Sequence, residues 1–175
     1  MENNQNQNTE PVKITIILPT NAYFVSGIRD FTLSMIKNMT QFSPQWAYRF
    51  QSVVDELCNN AIEHGSAKGK DISVQFIQFP DAIEIIVEDS GTAEKHTSAE
   101  EMRKLISDRT QEGYKFDGIR GRGLSKIVHN WTDELEFSDL PNGGLRVRVK
   151  KMLKKEDDEA AKIALADPTH VTLNI

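Results

Sequence analysis

Apolar positions recur along this chain at two periods, and the switches between them mark its elements. Lys13 to Pro19 is β-branched and apolar, which predicts a first strand. Between Asn21 and Thr40, Phe24, Ile28, Phe31, Met35 and Met39 fall at helical spacing and predict a helix. Pro44 suits the first turn of a second helix, with Ser43 as its N-cap. Phe50, Val53, Val54, Leu57, Cys58, Ala61 and Ile62 form the apolar stripe of that helix, and Gly65 is a natural C-cap. The period then drops to two. Ile72, Val74 and Phe76 alternate with polar residues, as do Ile83, Ile85 and Val87, with Pro80-Asp81 between the runs. This predicts an antiparallel hairpin with one face on a core.

Thr92 to Arg120 breaks both periods. It holds one short helix, Ala99 to Ser107, opened by the capping box Ser98-x-x-Glu101. A polar connection of this length inside a compact domain reads as a lid or functional loop. Gly123 to Trp131 follows as a helix with Leu124, Ile127 and Val128 inward. Leu135 and Phe137 make one strand, Leu145, Val147 and Val149 another, and Asn142-Gly143-Gly144 turns between them. The order β, α, α, β, β, lid, α, β, β predicts an α+β fold: helices layered on one face of a mixed, mainly antiparallel sheet.

Composition narrows the function classes. A chain of 175 residues with 38% apolar content fits one domain, 12–150, with a disordered tail at 1–11 and a charged extension at 151–175. The charge run Lys151 to Glu159 reads as a solvated surface. A net charge of −5 argues against a dedicated nucleic-acid binder. No apolar run reaches membrane-spanning length, and the Asn- and Gln-rich start is not a signal peptide, so a cytoplasmic protein that engages no membrane is expected. The single cysteine, Cys58, lies on an apolar stripe and reads as a buried thiol.

Three short segments carry candidate chemistry. Glu56 and Asn60 are four residues apart and share a helix face at the edge of the buried stripe. An acid and an amide there could hold a hard cation or orient a hydroxyl; polar residues on the wet side of a helix are the plainer reading. Asp89-Ser90-Gly91 follows the end of a strand and is also common turn chemistry. Gly121-Arg122-Gly123-Leu124 opens a helix, where free N–H groups suit an anion and absent side chains leave room for phosphate. Arg120 and Arg122 could neutralise phosphate charge, bridge to a partner or simply face solvent. His64 has no second histidine at ligand spacing, which argues for a structural helix-end residue over a zinc ligand.

In this order, Glu-x-x-x-Asn-Ala-x-x-His-Gly, Asp-x-Gly and Gly-x-Gly resemble the Bergerat-fold (GHKL) ATPases, and within them the single-domain anti-sigma-factor serine kinases. The resemblance runs from about Ile14 to Lys150 and implies a two-layer α/β sandwich that binds Mg-ATP. It assigns Glu56 as the general base, Asn60 as the magnesium ligand and Asp89 as the acceptor of the adenine amino group, with Gly91 letting the backbone approach the base. The turn around Gly121 and Gly123, with Arg120, Arg122 and Leu124, would cradle phosphate. The implied partners are a STAS-type antagonist, phosphorylated on serine or threonine, and a competing sigma factor; proteins of this branch often form homodimers. An alternative is a module that holds ATP without using it and works by partner exchange. Two positions depart from the family pattern. Ala93 replaces a second glycine after Asp89, and Gly144-Leu145 stands where Gly-Thr is common.

Overall fold

A computed structural model of the protein describes residues 10–94, 97–110, 123–124 and 129–154. Among these, five strands form one sheet: β1 (Val12–Pro19), β2 (Asp71–Gln78), β3 (Ala82–Glu88), β4 (Glu134–Asp139) and β5 (Leu145–Met152). Their spatial order is β1-β2-β3-β5-β4, and every described pairing is antiparallel. Two long helices, α1 (Val25–Met39) and α2 (Pro44–Asn60), supply the second layer, giving the α+β architecture expected. α3 (Ala99–Thr110) and, in its described part, α4 (His129–Trp131) are the other α-helices among the described residues.

The register shows why one sheet face carries the helices. Ile16, Val74, Val87, Val147 and Phe137 follow one another across the five strands, and Ile14, Phe76, Ile85, Val149 and Leu135 form the next row. Successive side chains in a strand alternate faces, so these rows present one apolar surface. It meets Ile28, Met35 and Ile36 of α1 and Phe50, Val53, Val54 and Leu57 of α2 in a single core. The opposite face is mainly polar, with Ile17, Ile77 and Ile86 among its residues, and carries ion pairs. Arg148 reaches Glu84 at 2.7 Å, Glu134 at 2.8 Å and Glu136 at 3.1 Å, while Arg146 pairs with Glu88.

Several details differ from the sequence expectation. The inward stripe of α1 is Val25, Ile28, Thr32, Met35 and Ile36; Phe24 precedes the helix and Met39 ends it, both exposed. Buried Thr32 fits because its hydroxyl donates to the Ile28 carbonyl at 2.7 Å. Ser43 occupies the N-cap position of α2 through its carbonyl, which accepts from Trp46 N and Ala47 N, but its hydroxyl makes no cap bond. Packing of Phe42 and Trp46 on Phe50 fixes this entry instead. Gly65 is not a left-handed C-cap; beyond Asn60 the helix widens into a π-helical turn, Ala61–Gly65. The predicted capping box is present: Ser98 N donates to Glu101 Oε2 at 2.8 Å and Glu101 N to Ser98 Oγ at 3.3 Å. The helix it opens runs three residues past Ser107.

β5 extends through Met152, two residues into the stretch expected to be a solvated extension. Lys151 is buried there, its ammonium 3.4 Å from Asp133 and over the Trp46 ring. The extension from residue 155 onward, the N-terminal tail to residue 9, and Ile127 and Val128 lie outside the described residues.

Candidate functional site

α2 and the wide turn that follows form one wall of a cleft of about 650 Å³ at the end of the sheet. Glu56, Asn60, Asp89, Gly123 and Leu124, drawn from three distant segments, all line it. Its volume is in the range of small-molecule sites. Apolar side chains make up much of the rest: Leu57 from α2, Val87, Leu145 and Val147 from the sheet, Met102 and Leu105 from α3.

Glu56 and Asn60 do share a helix face, and they touch. Asn60 Nδ2 donates to Glu56 Oε1 at 2.8 Å. A carboxylate accepts only, so the amide nitrogen must face it and the amide oxygen is left for another partner. Gly123 lies directly against this acid: a side chain on it would overlap the Glu56 carboxylate. The segment predicted to cradle phosphate therefore reaches the acid at Gly123. Arg120, Gly121 and Arg122 lie outside the described residues.

Asp89 lines the same cleft just past the end of β3 and is buried at 8% exposure. Its Oδ1 accepts from Gly91 N at 2.8 Å and Leu145 N at 3.1 Å. Two backbone donors fix the carboxylate without side-chain help. The Oδ2 side packs onto Gly65, where no side chain would fit. Gly91 has a φ of +62°, and its missing side chain admits the Gly143 carbonyl rather than the cleft. The close approach at Gly91 is thus between two loops, the Asp89 turn and the β4–β5 turn. In the latter, Gly143 has a φ of +85° and Gly144 N donates to Asn142 Oδ1 at 3.1 Å.

Among the cleft residues, the sequence marks Gly65 only as a helix end and Leu145 only as a departure from the family pattern, and does not single out Met102 or Leu105. Gly65 was hidden by its resemblance to a helix stop. Leu145 and Val147 could have been found, because alternation places both on the core face of β5. Met102 and Leu105 lie three apart on a mostly polar helix, which gives little pattern to read. His64, at the cleft edge, is exposed and 3.9 Å from Glu63. No cluster of three metal-ligating side chains of His, Cys, Asp or Glu type occurs among the described residues.

The family model described as histidine kinase-like ATPase domain matches residues 18–151. The chain belongs to that family. It is also similar to two proteins named serine-protein kinase RsbW. The one from Bacillus pumilus (strain SAFR-032) is 28% identical over 149 residues, covering 82% of this chain and 87% of the relative. The one from Halalkalibacterium halodurans is 23% identical over 149 residues, covering 85% and 88%. The match spans the helix with Glu56 and Asn60, the Asp89 turn, Gly123 and all of the sheet except the first six residues of β1 and the last residue of β5. No described helix is long and apolar enough to cross a membrane.

Proposed function

We propose that the protein is an ATP-dependent serine/threonine kinase of the anti-sigma-factor type, acting on a STAS-type antagonist while a sigma factor competes for the same surface. One observation carries the reading: the Glu56–Asn60 pair and the backbone-clamped Asp89 carboxylate line one cleft in a chain of the histidine kinase-like ATPase family. The two similar proteins named as serine-protein kinases support the choice of acceptor.

The residues fit an adenine nucleotide with magnesium. Asp89 presents a fixed acceptor edge, which suits the amino group of adenine and opposes the keto group of guanine. Val87, Leu145 and Val147 offer the apolar surface that a purine ring would cover. The Asn60 amide oxygen, freed because Nδ2 is engaged by Glu56, is of the type that magnesium takes. When bound, the ion neutralises phosphate charge, and phosphoryl transfer depends mainly on such neutralisation and on positioning. Glu56 would accept the proton of an incoming hydroxyl, a role open to a carboxylate beside the transferred phosphate. Asn60 holds its Oε1, leaving Oε2 for that task. Phosphate on the acceptor adds charge to a surface complementary to this protein, which would release the partner.

A second reading, an ATP-binding module that exchanges partners without phosphorylating them, is favoured by Leu145, an apolar cleft residue at the position where the family pattern carries a hydroxyl. Transfer from labelled ATP to a candidate STAS-type protein separates the two. The kinase reading expects label on the partner with wild type, none with Glu56→Gln, and nucleotide binding retained by that variant. Binding with no transfer to any such protein favours the module, and absence of nucleotide binding overturns both.

A further inference from the structure

A chain of hydroxyls beside the cleft is left without a role by that reading. Ser66, at 6% exposure, follows Gly65 at the end of the wide turn. Its Oγ accepts from both Ser90 N, at 2.9 Å, and Ser90 Oγ, at 3.0 Å. Ser90 Oγ lies 2.7 Å from Thr92 Oγ1, which in turn accepts from Ala67 N at 2.9 Å. Thr92 N closes the loop by donating to the Gly65 carbonyl at 3.1 Å.

Proton counting gives the chain a direction. A hydroxyl has one proton to donate. Ser90 donates its proton to Ser66, so the proton between Ser90 and Thr92 belongs to Thr92. The sequence runs Ala67 N–H to Thr92, Thr92 to Ser90, and Ser90 to Ser66. Chains aligned in one sense polarise each other and act as a unit. Thr20 Oγ1 extends the same web, donating to Ala67 O at 3.0 Å and accepting from Gly69 N at 3.2 Å.

The web joins the residues that immediately follow the two partners of a tight contact. Gly65 precedes Ser66, Asp89 precedes Ser90, and the Asp89 carboxylate packs on Gly65. Oδ1 is consumed by the Gly91 and Leu145 amides, so Oδ2 is the edge left for a ligand. Its placement depends on the spacing between the 65–67 and 89–92 segments, which the hydroxyls set. We infer that Ser66, Ser90 and Thr92 are positioning residues that align the Asp89 carboxylate with a purine amino group, and so set discrimination between 6-amino and 6-oxo purine nucleotides. This rests on the reading of the cleft as a nucleotide site.

The test is a titration of the full-length protein with Mg-ATP and with Mg-ITP, whose base lacks the amino group. Ser66→Ala leaves Ser90 N without its acceptor, and Thr92→Val removes a hydroxyl at an exposed position where folding is not at risk. Each is expected to weaken ATP binding about 5- to 10-fold, the worth of one misaligned hydrogen bond, and to change ITP binding less than twofold. Thr92→Ser, which keeps the hydroxyl, should match wild type. Equal losses for both nucleotides, or an unchanged ratio, overturn the inference while leaving the nucleotide site intact. Wild type that binds neither nucleotide overturns the site and the inference together.

Discussion

Gly65 and Asp89 meet with no space between them. A methyl on Gly65 would overlap the carboxylate and even the β-carbon of Asp89. Gly65 has no positive φ, so alanine is acceptable to the backbone. The conflict falls on a side chain clamped by two amides. Gly65→Ala should therefore displace Asp89 and weaken ATP binding at least about tenfold, one lost aligned hydrogen bond. Its stability should change by only about 1–2 kcal/mol, because lost clamp bonds are partly offset by reduced freedom of the unfolded chain. Calorimetric titration beside urea unfolding would show this split; unaltered ATP affinity would remove Asp89 from the binding site.

The ion pairs on the open sheet face make a stability prediction. Glu84 has a side chain only 10% exposed, and Arg148 reaches it at 2.7 Å. The hydrogen bond to Glu84 holds the Arg148 pKa above the usual arginine value, against the opposing effect of burial. Arg148→Met would leave the Glu84 carboxylate buried without its guanidinium, at a cost of about 3 kcal/mol, the low end for a buried pair because Arg148 keeps some contact with solvent. Adding Glu84→Gln removes the stranded charge and should restore more than half of the loss. Urea midpoints of the two single variants and the double variant would measure the coupling.

Cys58 should be chemically silent in the folded protein. Burial, reinforced by the nearby charge of Asp55, pushes its thiol pKa up to about 12. At pH 8 only about one thiol in 10⁴ is then ionised, and the thiolate is the reactive form. Iodoacetamide should leave native protein unmodified and add one label per chain in denaturant. Native labelling at the rate of a free peptide thiol would contradict the packing around α2.

Asp133 predicts a pH dependence. Burial alone would raise its pKa, but bonds from Lys154 and Met152 N, with the charge of Lys151, outweigh that and hold it below the usual value. A carboxyl with a lower pKa folded than unfolded stabilises above the unfolded value, about 3.9. That contribution disappears as pH falls through the folded value. Wild type should be more stable than Asp133→Asn by a constant margin from pH 8 to about 5, with the gap closing below about pH 4. Denaturant midpoints at pH 7 and pH 3 give the comparison; a margin that persists at pH 3 would point to shape rather than charge.

Strands and the two long helices were readable because their periods are local. Val74 and Phe76 face the core by alternation, and Val53, Val54 and Leu57 by helical spacing, with no knowledge of partners. Glu56, Asn60, Asp89 and Gly123 were found by motif order and do line one cleft. What escaped depends on register or on distant contacts. Arg148 and Glu84 are 64 residues apart and meet only because β3 and β5 pair as they do. Ser66 and Ser90, 24 apart, join only when the wide turn reaches the end of β3. That turn cannot be told from an ordinary helix end in the sequence, because it is Asp89 that requires a glycine at position 65.

β5 serves two clients with alternate residues. Leu145 and Val147 line the cleft, while Arg146 and Arg148 hold the carboxylates of the far face. A slip of one residue against its neighbours would turn every side chain over. Guanidinium groups would then enter the apolar cleft, and valines would face a row of unpaired glutamates. Both errors are costly and arise from the same displacement, so the alignment that shapes the site is guarded from the side that never touches it.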